Sequence, residues 1–472
     1  MNDLVFLPAV VMAEEIGKKK ISPVELVEAH LLQIEKLNPK LNAFVQVDAE
    51  RARRAARDAE SAVMQGKTLG ALHGIPVSIK SSVAVAGIAC ESGTHLRAGF
   101  VPAQDAPLVA RLRSAGAIVL GVTNTPELLM AWETDNVLHG RTNSPWDLER
   151  TPGGSSGGEA AAIAVGMSAG GVGSDGGGSI RVPAHFSGIC GLKPTPGRIP
   201  ATGHYPVSAG PFALIGVVGP MARTVADLKA LFEVMQGADV GDTCAAPVPV
   251  RWSREDETRK LRIGYFEDDG RTPVTEETRV AVRTAADALC RAGFQVERFR
   301  PEGLEEARQL WRIFFVVAGG MLIRPMFSDR ESDLSPVLKQ FLEWSATEPP
   351  LTGEALLDAW VRRDMVRARF LEQMERYPIL LCPAAAIPAF RHGERSWQVE
   401  GKTVDYLDAW SYAEFFNLLG NPAVVIPVGR SPEGLPIGVQ IVGRPWEEEQ
   451  VLAVAAAIEQ QCGAWKIPPI AR

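Results

Sequence analysis

Residues 152–181 read PGGSSGGEAAAIAVGMSAGGVGSDGGGSIR, and glycine, serine and alanine dominate this stretch. Two glycine clusters flank an alanine-rich segment at 159–165. Alanine is the strongest helix former, so this segment predicts a short helix. The stretch is therefore not a low-complexity linker. It predicts two tight glycine turns separated by a helix.

Outside this stretch, apolar strand-like runs alternate with helical segments. The predicted strands include 75–79, 117–120, 261–265, 379–383, 423–427 and 437–441. Strands that alternate with helices indicate α/β layers and a mainly parallel sheet. Residues 303–376 look helical and rich in aromatics, and strands lie on both sides of them. The sequence thus predicts one intertwined α/β/α unit over residues 1–472 rather than two independent domains.

The composition excludes several classes of protein. The 472 residues are 46% hydrophobic and 22% charged, with a formal net charge of −7, a balance typical of soluble globular proteins. No basic stripe with interleaved aromatics indicates a nucleic-acid partner. No uninterrupted apolar run reaches the roughly 18 residues that membrane insertion needs. Six scattered cysteines without a CxxC pair predict reduced thiols and a cytoplasmic location.

Two short motifs in the glycine-rich stretch point to other enzymes but lack the context they need. Residues 153–157 match the G-x-S-x-G turn of α/β-hydrolases, yet a loop precedes them instead of a buried strand. Residues 171–176 match the G-x-G-x-x-G dinucleotide pattern, yet no helix begins at the third glycine. Short motifs of this kind have low specificity. We expect neither function.

A third interpretation of the stretch makes Ser179 a nucleophile. The three preceding glycines present successive backbone N–H groups, which can bind a developing oxyanion. A serine also needs a base. Lys80 ends an apolar strand, and burial would lower its pKa and make it a usable base, whereas His185 has no orienting carboxylate in the sequence. Taken alone, the glycines could equally serve tight packing and Lys80 could lie on the surface.

Together these segments resemble the signature of the amidase signature family, which includes fatty acid amide hydrolase, bacterial amidases and urethane-cleaving amidases. The matching segments are 74–80 (GIPVSIK), 153–158 (GGSSGG), 173–181 (GSDGGGSIR), 190–195 (CGLKPT), 219–227 (GPMARTVAD), 421–423 (NPA) and 434–440 (GLPIGVQ). The resemblance implies a three-layer α/β/α sandwich around a large mixed, mainly parallel central sheet. It also implies a signature core at about 65–240 and a helical substrate cap at about 303–376.

The resemblance further implies a catalytic triad without a metal or cofactor. Ser179 resembles the nucleophile, Ser155 the bridging serine held by a cis peptide, and Lys80 the base. The implied oxyanion hole consists of the amides of Gly176, Gly177, Gly178 and Ser179. The implied supporting residues are Ser156, Asp175 and Arg181. The family often has threonine or isoleucine where this chain has Gly176.

The expected substrate is a small neutral molecule. Residues 128–132 (LLMAW) lie where the family places part of the acyl-binding wall. The predicted substrate-binding residues are Leu129, Met130, Trp132, Tyr205 and Phe212. An apolar wall favours neutral amides, anilides, esters or carbamates (urethanes), because each buried methylene contributes about 0.8 kcal/mol. A homodimer is compatible with the resemblance.

Two alternatives remain open at the level of sequence. The first is the A-type chain of a glutamyl-tRNA amidotransferase, although residues 203–211 (GHYPVSAGP) do not match its pattern. The second is a catalytically silent binding or scaffold protein on the same fold. Retention of all three triad residues argues against a catalytically silent protein.

Overall fold

An eleven-stranded sheet and a separate two-stranded hairpin organise the chain. The computed structural model describes residues 4–347, 351–463 and 465–472. The strands are β1 (Phe44–Val47), β2 (Pro76–Lys80), β3 (Ile118–Thr123), β4 (Gly170–Asp175), β5 (Cys190–Lys193), β6 (Val217–Ala222), β7 (Arg262–Tyr265), β8 (Gln295–Arg298), β9 (Ile379–Pro383), β10 (Ser396–Val399), β11 (Lys402–Asp405), β12 (Ala423–Arg430) and β13 (Pro436–Gly443).

Helices occupy most of the connections between these strands. The α-helices are α1 (Ala9–Gly17), α2 (Pro23–Leu41), α3 (Ala49–Met64), α4 (Pro107–Ser114), α5 (Gly157–Ala164), α6 (Arg181–Ser187), α7 (Pro211–Ile215), α8 (Val225–Met235), α9 (Glu255–Thr258), α10 (Glu276–Arg291), α11 (Leu304–Trp311), α12 (Ala318–Ile323), α13 (Pro336–Thr347), α14 (Gly353–Arg376), α15 (Ser411–Leu418) and α16 (Glu448–Cys462). A π-helical turn, Arg312–Val317, joins α11 to α12. Short 3-10 turns lie at Leu4–Phe6, His95–Arg97, Glu127–Leu129, Arg324–Phe327, Glu331–Asp333, Asp408–Trp410 and Pro469–Ala471.

The large sheet is mixed, as predicted, but among the described residues six of its ladders are antiparallel and four are parallel, so it is not mainly parallel. Its strand order is β1-β3-β2-β4-β6-β5-β12-β13-β9-β7-β8. Parallel ladders lie on its two flanks, joining β2 to β3 and β4, and β7 to β8 and β9. The central ladders from β4 to β9 are antiparallel, and so is the edge pair β1–β3. The antiparallel β12–β13 pair needs only the short connection 431–435, whereas parallel pairs need long crossovers.

Helices cover both faces of this sheet. Strand β9 shows the alternation clearly, because Ile379 and Leu381 belong to one apolar cluster and Leu380 and Cys382 to another. Helices α4, α8, α10 and α16 pack against the first face. Helices α5, α6, α11 and α15 contribute to the clusters of the second face. Successive strand residues point to opposite faces, so both faces are buried and the three-layer sandwich is confirmed.

The predicted helical segment 303–376 contains α11 to α14, and its residues 348–350 lie outside the described residues. One run within it, Leu304–Phe327, has the length and composition of a membrane-spanning helix, with a mean hydropathy of 1.5 in its most apolar window. Of that window, 61% is buried inside the protein. An all-round apolar helix is typical of protein cores as well as of membranes.

Two parallel strands end at the same edge of the sheet and bring the glycine-rich stretch to Lys80. Strand β2 ends at Lys80, and its parallel neighbour β4 ends at Asp175. The turn before α5 reaches the same edge, with a cis peptide between Gly154 and Ser155. The alanine-rich helix predicted at 159–165 is α5, whose close packing holds this turn against β2 and β4.

Gly158 tests how tightly α5 is packed. A β carbon at this position would lie 2.5 Å from Asn124 N and 2.7 Å from Ala43 O, both backbone atoms. We expect Gly158→Ala to destabilise the protein by about 1–3 kcal/mol, the usual cost of overpacking. The matched control is Gly353→Ala in α14, where no atom lies within 4 Å. The thermal unfolding midpoints of the two variants measure this difference. A midpoint for Gly158→Ala at or above that of Gly353→Ala would contradict the close packing of α5.

Candidate active site

Lys80 is completely buried, and its amine contacts three serine hydroxyls. Lys80 Nζ lies 2.7 Å from Ser155 Oγ, 2.9 Å from Ser156 Oγ and 3.0 Å from Ser174 Oγ. Burial lowers the pKa of Lys80 well below its ordinary value, because desolvation disfavours the ammonium form, and the negative charge of Asp175 only partly opposes this. A neutral amine in contact with a serine hydroxyl can accept its proton.

A second buried titratable group lies near Lys80. Burial raises the pKa of the Glu159 carboxyl to about 7, although hydrogen bonds from Ser78 and Thr123 and the charge of Lys80 oppose the shift. Ser78 Oγ donates to Glu159 Oε1 at 2.5 Å and Thr123 Oγ1 donates to Oε2 at 2.7 Å. Strands β2 and β3 thus orient this carboxyl. The Glu159 carboxyl is therefore part of the electrostatic surroundings of Lys80. No motif in the sequence indicates this residue.

Ser155 and Ser156 connect the lysine to the glycine-rich turns. Thr125 Oγ1 donates to the Ser155 carbonyl at 2.8 Å, and the Ser156 amide donates to the Ser179 carbonyl at 3.1 Å. Ser155 and Ser179 both line one cavity. Within the described residues, no hydrogen bond joins the hydroxyls of Ser155 and Ser179. Ser155 and Ser179 are thus brought together at the cavity, and Lys80, which is not among the lining residues, is hydrogen-bonded to Ser155.

A buried ion pair holds the loop that carries Ser179. The side chains of Asp175 and Arg181 are both fully buried, and Arg181 donates to both carboxylate oxygens at 2.9 and 3.0 Å. Burial alone would raise the pKa of the Asp175 carboxyl, but the charge and hydrogen bonds of Arg181 hold it well below its usual range. Asn417 Nδ2 adds a bond to the carboxylate at 3.0 Å. The pair therefore anchors both ends of the loop.

Three of the four amides predicted for the oxyanion hole are free. The Gly178 amide donates to Asp175 Oδ1 at 2.7 Å, so the expectation that it faces the oxyanion is wrong. Within the described residues, the amides of Gly176, Gly177 and Ser179 have no hydrogen-bond acceptor in the protein. Ser179 itself is 8% exposed and lines the cavity. The Ser179 hydroxyl thus belongs to a loop with unpaired backbone N–H donors.

Three of the five predicted substrate-binding residues line this cavity: Leu129, Met130 and Phe212. Trp132 does not line it, and its position is a correction to the sequence prediction. Its indole is 3% exposed and donates from Nε1 to the Gly177 carbonyl at 2.8 Å, behind the loop. Tyr205 is the second correction, since the Arg97 guanidinium covers its ring at 4.0 Å from the centroid. Aromatic packing and a cation–π contact thus turn both side chains away.

Among the cavity-lining residues that the sequence did not predict, Phe315 and His204 bear most on the chemistry of the site. Phe315 reaches it from the π-helical turn of the 303–376 segment. Its only signal was the aromatic content of that segment. His204 also lines the cavity, and its Nδ1 lies 2.9 Å from the Pro206 carbonyl, which can only accept, so Nδ1 carries the proton. Burial, and then the charge of Lys80, lowers the pKa of His204 to about 4.

His185 is a packed core residue. Its Nε2 lies 3.1 Å from the Ile387 carbonyl, and its Nδ1 accepts from the Gly438 amide at 2.7 Å. Burial lowers the pKa of its imidazole to about 4. Both ring nitrogens are occupied by the backbone, so His185 has no free nitrogen with which to activate Ser179.

Comparisons with known proteins agree on one family. The family model described as Amidase matches residues 25–452. Indoleacetamide hydrolase of Bradyrhizobium diazoefficiens is 34% identical and covers 96% of this chain and 86% of its own length. Acylamidase of Rhodococcus erythropolis is 33% identical and covers 97% and 96%. The solved structure of a bacterial aryl acylamidase of the amidase signature family has a TM-score of 0.84 at 27% identity, covering 96% of both chains.

The amidotransferase also appears among the relatives. The A-type chain of the glutamyl-tRNA(Gln) amidotransferase of Moorella thermoacetica is 32% identical over 97% of this chain and 97% of its own length. Overall similarity alone therefore does not distinguish the two activities, and the lining of the cavity has to do so.

The lowered pKa of Lys80 predicts a pH-dependent stability. Between its folded pKa and 10.5, the unfolded chain binds a proton that the folded chain does not. The stability of the wild type relative to Lys80→Met should therefore rise from pH 8 to pH 10, by at most about 1.4 kcal/mol per unit. Urea denaturation at several pH values measures this slope. Lys36→Met, at an exposed position of α2, is the control for loss of a lysine, and a flat difference for Lys80→Met would contradict the lowered pKa.

Proposed function

Because this chain belongs to the amidase signature family and is a hydrolase of carbon–nitrogen bonds other than peptide bonds, we propose that it cleaves neutral amides, anilides or carbamates through an acyl-enzyme on Ser179. One observation carries the assignment of residues. The buried Lys80 amine lies 2.7 Å from Ser155 Oγ at a cavity that Ser179 also lines. These positions support Lys80 as the base, Ser155 as the relay and Ser179 as the nucleophile of an acyl transfer.

The proposed mechanism follows from the positions of the protons. Ser179 attacks the substrate carbonyl and passes its hydroxyl proton to Ser155. At the same time, Ser155 passes its own hydroxyl proton to neutral Lys80. The free amides of Gly176, Gly177 and Ser179 hold the oxyanion, and one such donor typically contributes about 3–4 kcal/mol. Ser155 then returns the proton to the leaving nitrogen, and water cleaves the acyl-enzyme by the same relay in reverse.

Ser156 and Ser174 are proposed to orient the base. Their hydroxyls lie 2.9 and 3.0 Å from Lys80 Nζ, and the Ser156 hydroxyl donates to the Ser174 carbonyl at 3.2 Å. An amine held by two further hydroxyls loses its rotational freedom and points one lone pair or proton at Ser155. Asp175 and Arg181 act in this scheme as supports of the loop and take no proton.

The lining of the cavity supports a neutral substrate. Leu129, Met130, Phe212 and Phe315 present apolar surface, and within the described residues no lysine or arginine lines the cavity. Among those residues, the only acidic one in the lining is Asp175, which is paired with Arg181. A free glutamine would leave its carboxylate without a cationic partner here. The cavity thus favours an amidase or urethanase over an amidotransferase.

The remaining parts of the proposal concern organisation. We propose the segment 303–376 as the substrate cap, because Phe315 from this segment lines the cavity. A single domain over residues 1–472, with a signature core at about 65–240, fits the continuous sheet. All six cysteines are free, which supports a reducing cytoplasmic compartment. The homodimer stays a prediction from sequence.

A fluorophosphonate probe tests the nucleophile. We expect covalent labelling of the wild type at Ser179, loss of labelling in Ser179→Ala and a loss of at least about 100-fold in labelling rate in Lys80→Met. Ser168→Ala is the control, since Ser168 is a buried serine of the same stretch whose hydroxyl donates to the Gly170 carbonyl. Peptide mapping identifies the labelled residue. Labelling elsewhere, or hydrolysis of an anilide by Ser179→Ala, would refute the assignment and favour another site.

Met130 tests the acyl-binding wall. Replacement by alanine removes about 1.4 kcal/mol of apolar contact, so kcat/KM for a long-chain acyl anilide should fall about tenfold. Acetanilide, whose acyl group is too short to reach the wall, should change less than threefold. Met321→Ala, on the surface of α12 and 55% exposed, is the control. Equal losses on both substrates, or a wild-type preference for glutamine over both anilides, would show that the pocket is misplaced.

A further inference from the structure

The direction of each free amide in the Ser179 loop is set by the carbonyl that precedes it. In a trans peptide, the C=O of one residue and the N–H of the next point to opposite sides. The amides of Gly176, Gly177 and Ser179 therefore face the cavity only while the preceding carbonyls face away from it. Those carbonyls accept hydrogen bonds from Asn417 Nδ2 at 3.1 Å, from Trp311 Nε1 at 2.9 Å and from the Val182 amide at 2.7 Å, respectively.

Trp311 is the member of this set that comes from the 303–376 segment. Its side chain is fully buried at the end of α11, where the π-helical turn begins. The indole stacks on Phe315 at 4.7 Å between ring centroids with an interplanar angle of 14°. Phe315 in turn lines the cavity. The π-helical turn thus places a donor for the loop and a wall for the substrate next to each other.

The Ser179 loop packs tightly against the rings of Trp311 and Phe315. A β carbon at Gly177 would lie 2.5 Å from Trp311 Cζ2, and one at Gly176 would lie 2.9 Å from Phe315 Cε2. The absence of a side chain at Gly176 therefore makes space for Phe315. Close contact on this side leaves the Gly176 carbonyl no freedom to swing while the indole bond is in place.

We propose that Trp311 is a positioning residue for the oxyanion hole. Its indole N–H holds the Gly176 carbonyl away from the cavity, so that the Gly177 amide points at the developing oxyanion. The segment 303–376 then completes the oxyanion hole as well as covering the substrate. This inference rests on the proposed function, because it assumes that the carbonyl attacked by Ser179 sits before these amides.

Two other buried tryptophans allow a matched comparison. Trp132 Nε1 donates to the Gly177 carbonyl, but the amide of that peptide belongs to Gly178 and is already bonded to Asp175. Trp410 is fully buried and stacks near Trp132, and within the described residues its Nε1 has no hydrogen-bond partner. Loss of the indole N–H should therefore matter for catalysis at Trp311, less at Trp132 and not at Trp410.

The experiment replaces each indole by a ring without the N–H donor. The variants are Trp311→Phe, Trp132→Phe and Trp410→Phe, and a second form of the first carries 3-benzothienylalanine at 311, which keeps the shape of the indole. A lost oxyanion donor typically costs about 100- to 1000-fold in kcat, and Trp311 only orients one, so we expect kcat to fall at least tenfold with KM changed less than threefold. Trp410→Phe should stay within twofold of the wild type.

A transition-state mimic separates orientation of the hole from a merely structural role. A trifluoromethyl ketone forms a tetrahedral adduct with its oxygen in the hole, so its inhibition constant should rise by the same factor as kcat/KM falls. A non-reacting ketone-free analogue of the substrate should bind Trp311→Phe and the benzothienyl form as well as it binds the wild type. Thermal unfolding midpoints show whether each variant folds. If Trp311→Phe does not fold, the benzothienyl form decides the outcome.

Two results would overturn the inference. In one, the benzothienyl form matches Trp410→Phe in kcat and in ketone inhibition. In the other, kcat falls while inhibition by the ketone and by the non-reacting analogue weaken equally, which indicates a loss of general binding. Failure of the proposed function looks different, because Ser179→Ala would then retain hydrolysis and no tryptophan variant would affect labelling by fluorophosphonate.

Discussion

The buried ion pair of Asp175 and Arg181 is the interaction on which the site depends. Two charges without access to water are tolerated only when they are paired and fully hydrogen-bonded. Here Arg181 also donates to the Ala413 carbonyl and to Gln440 Oε1, at 2.8 and 2.6 Å. The carboxylate meanwhile accepts the amides of Gly178 and Ile180 on either side of Ser179. Strand β4, the Ser179 loop, α15 and β13 are thus tied to one pair of charges, and removing either partner would leave the other unpaired.

The same pair explains why the proposed oxyanion hole has fewer amide donors than the glycine run suggests. One of four successive amides is spent on Asp175, and this bond pulls the loop into a turn in which Gly178 has a φ of +112°. A residue with a β carbon is strained at that angle and would also approach Ala413 Cβ at 2.8 Å. The Gly178 amide therefore fixes the conformation of the loop, and with it the directions of the other three amides. Preorganisation of this kind costs nothing at the moment of reaction.

Burial is the main cause of the lowered pKa on which the proposed role of Lys80 as a base depends. The amine sits between the sheet edge and the glycine turns, where desolvation lowers its pKa, while the nearby carboxyls of Asp175 and Glu159 act in the opposite direction. Glu159 is itself partly neutral near pH 7, because burial raises its pKa to about 7. The protonation of Lys80 and that of Glu159 therefore depend on each other. Their balance is decided by contacts from β2, β3, β4 and α5, which meet only in the folded chain.

Local sequence determined much of this protein. Short segments around Lys80, Ser155 and Ser179 carry the family resemblance, which implies the mixed sheet, and apolar runs that alternate with helical segments indicate the α/β layers, because both signals depend on neighbours within a few residues. Tertiary structure decided the direction of each side chain and amide. Trp132 lies in the predicted wall segment yet turns behind the loop, and the Gly178 amide bonds to Asp175 instead of facing the cavity. Trp311 meets Gly176 across 135 positions of sequence. Such contacts depend on how distant elements pack, and the spacing of residues along one chain contains no record of that packing.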